Sequence, residues 1–234
     1  MRCRAPAVTY PRDYMSAFDR QVVSKNRVEG HGEVYTAARE VNAMLDLVAQ
    51  EAQRIDSRFL EPACGNGNFL AEVLRRKLAV VVSRYRTSQI EYERYAILAL
   101  SSIYGIDILK DNVQGCRDRL LGVLLDEYER LFATTARSEL RTAAAYILSR
   151  NIVHGDALTL NTVGKHPQPI ILSEWSPVNG SMLKRRDFSY GGLLQHEGFK
   201  ELPMWSDLGE DAFIPTPVKD YPIIHFLGVA DADQ

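Results

Sequence analysis

Twelve residues, Phe59-Leu60-Glu61-Pro62-Ala63-Cys64-Gly65-Asn66-Gly67-Asn68-Phe69-Leu70, constrain the fold of this chain more than any other stretch. They read as the end of a buried strand, a tight glycine loop and the start of a helix. Gly65 and Gly67 carry no Cβ, so the backbone can take positive φ there and a ligand can approach it closely. The amides that open the helix, from Asn68 to Glu72, point back toward that ligand. Strand, glycine turn and helix in this order form the nucleotide-binding corner of a doubly wound α/β sheet. The glycines alone do not name the ligand. Leu70 stands where the dinucleotide fingerprint has its third Gly or Ala, and no Lys-Ser/Thr pair follows, which excludes a P-loop. A purely structural turn fits the same glycines.

The rest of the chain narrows the choice. Its 234 residues suit one domain with a sizeable core. The net charge is −2, with pI near 6.2. Free-standing DNA binders usually carry a basic surplus, because phosphate neutralisation supplies most of their affinity. That surplus is missing here. Cys3, Cys64 and Cys116 are too few and too widely spaced for a disulfide framework or a zinc pattern, and they fit a reducing, cytoplasmic compartment. No apolar run is long enough for a transmembrane helix, and the opening Met-Arg-Cys-Arg-Ala-Pro lacks the apolar core of a signal peptide.

In order along the chain, residues 1–30 read as a polar N-terminal arm. Thr36 is a candidate helix cap, and Val41, Met44, Leu45 and Val48 form one apolar stripe at helical spacing. After the glycine loop a helix is expected over residues 68–82. A charged helical insertion follows over 83–100, its mixed signs reading as a solvated face. Ser102 to Ile108 is a strand ending in Asp107. An acid there accepts from ribose hydroxyls in a doubly wound nucleotide site, although it lies about 40 residues after Gly67 rather than the usual ~20; capping of the next helix is the competing reading. Residues 111–131 are a helix with Val113, Cys116, Leu120 and Leu124 on one face. A further helix spans 138–148, and a strand over 151–156 ends in Gly155-Asp156-Ala157-Leu158. His154 reads as structural.

Glu61-Pro62-Ala63-Cys64-Gly65-Asn66-Gly67-Asn68-Phe69-Leu70 closely resembles the first motif of S-adenosylmethionine-dependent DNA adenine-N6 methyltransferases, Asp/Glu-Pro-Ala-Cys-Gly-Ser-Gly-x-Phe-Leu. Gly32-Glu33-Val34-Tyr35-Thr36 resembles their N-terminal motif, with Ala37 in place of the usual Pro. Gly105-Ile106-Asp107-Ile108 and Gly155-Asp156-Ala157-Leu158 resemble the ends of their second and third strands. The resemblance implies a class I methyltransferase-like fold: a doubly wound, mostly parallel α/β sheet. It implies that S-adenosylmethionine is the cofactor, with Gly65, Gly67 and Asn68 against its methionine part and Thr36 near its carboxylate. Glu61 would orient the loop, Asp107 would meet the ribose and Asp156 the adenine amine. Ala63, Ile108 and Ala157 complete the implied cofactor set.

The family's fourth motif, Asn/Asp-Pro-Pro-Tyr/Phe, is absent. The fourth parallel strand is expected at Pro169-Ile170-Ile171-Leu172, running into Ser173-Glu174-Trp175-Ser176-Pro177. In a divergent catalytic loop Glu174 would accept from the target amine and Trp175 would stack on the flipped base. Only 62 residues (234 − 172) follow Leu172, too few for the remaining strands. The C-terminal part is therefore read as truncated or modified: a methyltransferase-like domain over 31–180 and an irregular extension over 181–234. Lys184-Arg185-Arg186-Asp187-Phe188 reads as a solvated basic loop, and the proline-rich Phe213 to Pro222 as an extended arm unable to form a central strand. Two functions fit. One is a DNA methyltransferase of a restriction–modification or phage-defence system, its missing motif supplied by a partner subunit. The other is a non-catalytic S-adenosylmethionine-binding or scaffold subunit in such an assembly. A small-molecule or RNA methyltransferase is a third, weaker reading.

Overall fold

Two strand-to-strand crossovers, each a pair of helices, build the centre of the molecule. The structure is a computed structural model that describes residues 36–197 and 216–231. The expected arm over 1–30, the segment 31–35, the proline-rich residues up to Pro215 and the final residues 232–234 lie outside that description. Helix α1 spans Ala38–Leu47 and α2 Ala49–Ala52; strand β1 is Phe59–Glu61. The first crossover is α3 (Asn68–Tyr85) and α4 (Gln89–Ser101), leading to β2 (Ile103–Asp107). The second is α5 (Lys110–Phe132) and α6 (Ser138–Asn151), leading to β3 (Ile152–Asp156). β1, β2 and β3 are parallel neighbours, and the two-residue β4 (Asn161–Thr162) pairs antiparallel with β3. The other edge of β1 pairs with no strand among the described residues.

Alternation along β2 divides the core in two. Ile103 faces the helix layer, where Leu70, Leu74, Ile97, Leu120 and Ile147 meet. Tyr104 and Ile106 face the other side, against Ile170, Leu172 and Tyr190. The apolar stripe of α5 is as expected: Val113, Cys116, Leu120 and Leu124 are all buried. The stripe of α1 is narrower than its spacing predicts. Val41 and Leu45 pack inward while Met44 and Val48 are about half exposed (50% and 45%); among the described residues α1 lies at the margin and packs mainly on α2 and α3. Glu93, expected on a solvated face, is fully buried; it accepts from the Tyr128 hydroxyl and from Gln89, with Arg137 beside it.

Beyond residue 170 the structure departs from the sequence expectation. Ile171 does not begin a fourth parallel strand. β5 (Ile171–Pro177), β6 (Met182–Ser189) and β7 (Lys219–His225) form a separate antiparallel sheet, and α7 (Tyr190–Glu197) follows β6. Residues expected to be an irregular extension thus supply two of its strands. Pro222 is tolerated because β7 is an edge strand with a bulge: Lys184 pairs with Ile223 and Arg186 with Asp220, leaving Arg185 opposite both Tyr221 and Pro222. Arg185 is no solvated cation. It is 1% exposed, donates to both Asp187 carboxylate oxygens at 2.9 and 2.8 Å, and lies 4.0 Å over the Tyr221 ring. No helix among the described residues is long and apolar enough to cross a membrane.

Lys77 of α3 ties the foot of the parallel sheet together. Its ammonium donates to the carbonyls of Ile55 and Ser57 and to the Ser102 hydroxyl, just before β1 and β2. Burial lowers its pKa from 10.5 to about 7. The unfolded chain therefore holds more protons than the folded one between those values, and stability rises with pH across that window. The unfolding free energy of wild type minus that of Lys77→Met is expected to climb from about pH 7 toward pH 10, with a slope no steeper than ~1.4 kcal/mol per unit. Denaturant melts across that range would check it, and a flat difference would show that Lys77 stays protonated in the fold.

Candidate cofactor-binding site

Glu61, Asp107 and Asp156 are the last residues of β1, β2 and β3, so the three acids lie at one end of the parallel strands. The glycine loop rises from the same end. Gly65 and Gly67 both hold positive φ, 51° and 84°. Helix α3 starts after Gly67, and its first helical bond runs from the Ala71 amide to the Gly67 carbonyl. The amides of Asn68, Phe69 and Leu70 thus precede the helical ladder.

The Asp107 carboxylate fixes the loop. Its Oδ2 accepts from the Gly65 amide at 2.8 Å; its Oδ1 accepts from the Leu109 amide at 2.8 Å and from Asn112 Nδ2 at 3.2 Å. With about four acceptor positions on a carboxylate, one remains, on Oδ2. At 7% exposure the residue leaves room for little more than that single contact. Asp107 is not the cap of the following helix: Leu109 is the N-cap of α5 and has no side-chain cap bond, and Asp107 takes the amide of Leu109 itself. Its neighbour Ile108 projects an apolar side chain that is 50% exposed. The Ile108 carbonyl is 3.0 Å from His154 Nε2.

Asp156 closes a turn on itself, Oδ1 accepting from the Leu158 and Thr159 amides at 2.9 and 3.4 Å. Its Oδ2 has no partner among the described residues. Ala157 is half-buried beside it. Glu61 accepts from the Ala63 amide at 3.2 Å; burial raises its pKa above the ordinary carboxylate value and the Ala63 bond offsets part of that. Thr36 is exposed and caps nothing. Ala37 is the N-cap of α1, and the Glu40 carboxylate takes the Ala37 amide at 3.1 Å. Thr36 and Asn68 nevertheless line one small pocket of about 30 Å³, together with Asn42, Glu72 and Arg75. The structure therefore gathers the glycine loop, Asp107, Ile108 and Asp156 at one sheet end, with Thr36 at its margin beside Asn68.

It places the other two candidates elsewhere. Glu174 is ion-paired with Arg58 and Arg186. Trp175 is 5% exposed, edge-on to Tyr146, and its indole N–H donates to Asn151 Oδ1 at 3.1 Å. Packed in this way, it has no open face for a base. Both belong to the antiparallel sheet, where alternation buries Trp175 and leaves Glu174 to pair on the outer side.

Sequence reasoning missed a stripe on α5. Asn112, Gly115, Cys116 and Arg119 stand at i, i+3, i+4 and i+7, on one helix face. Each meets the loop system. Asn112 holds Asp107; a Cβ built at Gly115 would lie 3.7 Å from Asn66 Cβ; Cys116 packs on Gly67; Arg119 Nη1 donates to Asn68 Oδ1 at 2.7 Å. The spacing was there to be read, but the polar members were hidden beside the apolar stripe of the same helix. Cys64 and Cys116 are free and buried; a hydrogen bond with Cys116 together with burial pushes the Cys64 thiol's pKa up, which makes it a packing group rather than a nucleophile.

No protein-family model, curated protein or solved structure matches this chain.

A Cβ added at Gly67 would lie 2.7 Å from Cys116 Sγ, at a φ that L residues avoid. Gly67→Ala is expected to cost about 2–4 kcal/mol, summing backbone strain and overpacking. In a double-mutant cycle, Cys116→Ala should recover about 1 kcal/mol of it, because only the Sγ contact is relieved. Additive losses in thermal unfolding would place the strain in the backbone alone.

Proposed function

We propose that this chain is the S-adenosylmethionine-binding part of a DNA adenine-N6 methyltransferase of restriction–modification or phage-defence type. In this reading a partner chain supplies the acceptor loop and most of the DNA contact. The fold is then the cofactor half of a class I methyltransferase: among the described residues the parallel strands run β1-β2-β3 without the reversal of a doubly wound sheet, and the antiparallel sheet stands in place of the C-terminal strands.

One observation carries the reading: a single sheet end presents a glycine loop, helix-opening amides and the two acids Asp107 and Asp156 around the exposed Ile108. The donor set fits the chemistry of S-adenosylmethionine. An adenine amine needs an acceptor, and Asp156 has an unspent oxygen. A purine face needs an apolar neighbour, which Ile108 offers. A ribose hydroxyl needs one acceptor position, which Asp107 retains. The loop also holds a buried acceptor without a partner, Asn66 Oδ1. When bound, the cofactor supplies an electrophilic methyl group on a sulfonium; the chain's own residues orient the molecule and exclude water around it.

The partner clause rests on three observations. Glu174 and Trp175 are both engaged within the fold. The edge of β1 away from β2 is unpaired among the described residues. The charge of −2 gives little independent grip on phosphate. The same three observations favour the second reading, a non-catalytic cofactor-binding scaffold subunit. The two differ only in whether methyl transfer appears once the partner is present.

Calorimetric titration of the purified chain with S-adenosylmethionine tests the site. Saturable binding is expected, weakened about ten-fold or more in Asp156→Ala and lost in Asp107→Ala, with no methylation of duplex DNA by the chain alone. A folded wild-type chain that binds nothing would sink the cofactor reading. Methylation by the isolated chain would sink the partner clause.

A further inference from the structure

Arg119 does not line the pocket that Thr36 and Asn68 share, yet it controls one of its walls. The pocket contains Thr36, Asn42, Asn68, Glu72 and Arg75, and it opens beside the first turn of α3. Asn68 is the first residue of that helix. An unrestrained Asn side chain samples several rotamers. Here the guanidinium of Arg119, from the neighbouring helix α5, donates to Asn68 Oδ1 at 2.7 Å. With its oxygen held there, the amide nitrogen of Asn68 is left as the donor end.

The surroundings have a defined polarity. Of the residues that open α3, Asn68 lines the pocket, and that end of the helix carries the positive end of the α3 dipole. Glu72 lies one turn further on and bridges Arg75 and Arg76 at 3.5 and 3.4 Å. Donors and a carboxylate therefore stand within one helical turn of each other. That is the complement of a zwitterion, with a carboxylate at the helix start and an ammonium toward Glu72.

We infer that Arg119 is a positioning residue for the α-amino-acid end of the cofactor, acting through Asn68; this rests on the cofactor reading given above. Arg119 fixes which end of Asn68 meets the ligand, and places a cation behind it. Asn112, Gly115 and Cys116 of the same stripe hold the loop's shape. Arg119 alone extends that control to a side chain that faces the small pocket.

A pair of ligands separates this role from a structural one. S-adenosylhomocysteine carries the amino-acid end; 5′-methylthioadenosine keeps the adenosine and the sulfur but lacks it. Calorimetry is run on wild type, Arg119→Met, Arg119→Lys, Asn68→Ala and the Arg119→Met/Asn68→Ala double variant, with thermal melts confirming that each is folded. The expected result is a loss of about ten-fold in S-adenosylhomocysteine affinity for Arg119→Met, no change for 5′-methylthioadenosine, and partial recovery in Arg119→Lys. In the double variant, loss of Arg119 should add nothing to loss of Asn68. Equal weakening of both ligands would make Arg119 a support of the whole loop and overturn the inference, as would unchanged binding of both. Should Arg119→Met not fold, the ligand split in Arg119→Lys and Asn68→Ala decides the matter by the same criteria. A wild-type chain that binds neither ligand overturns the cofactor reading itself, and this inference with it.

Discussion

A buried carboxylate needs donors, and Asp107 draws its three from two segments. One amide comes from the glycine loop, one from Leu109 at the N-cap of α5, and a side-chain amide from Asn112 in the first turn of that helix. Each bond alone is ordinary. Together they tie the glycine loop to the start of α5 across the end of β2. The adjacent Cys64 amide donates to the Ile106 carbonyl, and the Gly67 amide returns to the Cys64 carbonyl, both at 2.9 Å. The positive φ values of Gly65 and Gly67 go with that tight return, which a glycine makes without a Cβ clash.

The same economy governs the second sheet. Its buried face carries an arginine, an aspartate, a serine and a tyrosine that satisfy one another, with Arg185 at the centre. Burying such a cluster is costly unless every member is bonded, and here the bonds also aim outward. Arg185 reaches the Tyr146 hydroxyl on α6, and Trp175 reaches Asn151 at the end of that helix. Asn151 in turn donates to the Ser101 and Ile103 carbonyls at 2.9 and 3.2 Å, at the start of β2. The antiparallel sheet is thus hung from the second crossover by polar contacts as well as by packing.

The parallel half of the molecule was legible in the sequence because it is local. Each strand is a short apolar run, each ends in an acid, and each helix has its own period; Asp107 and Asp156 follow from their place at strand ends. The antiparallel half was not legible, since its evidence is non-local. Residues 171–177 look like any buried strand until β6 and β7 are known to flank them. The basic run Lys184 to Asp187 looks solvated until alternation is applied: Arg185 and Asp187 point inward, while Lys184 and Arg186 pair outward with Asp220 and Glu174. Pro222 excludes a central strand but not an edge with a bulge. In the site, Thr36 misled for a simpler reason. Glu40 satisfies the Ala37 amide, so the helix starts one residue later than a Thr cap would set it.

The stripe on α5 stores its information as phase. Asn112, Gly115, Cys116 and Arg119 share a face only while the count between them is kept. One residue inserted or deleted within those two turns would rotate everything beyond it by about 100°. Arg119 would then leave Asn68, and another side chain would swing against Gly67. Substitutions elsewhere on the helix leave the count unchanged, and beyond Arg119 the stripe makes no further demand. Any descendant of this chain that keeps the glycine loop is therefore free to vary the composition of α5 widely, but has little freedom to change its length between Asp107 and Arg119.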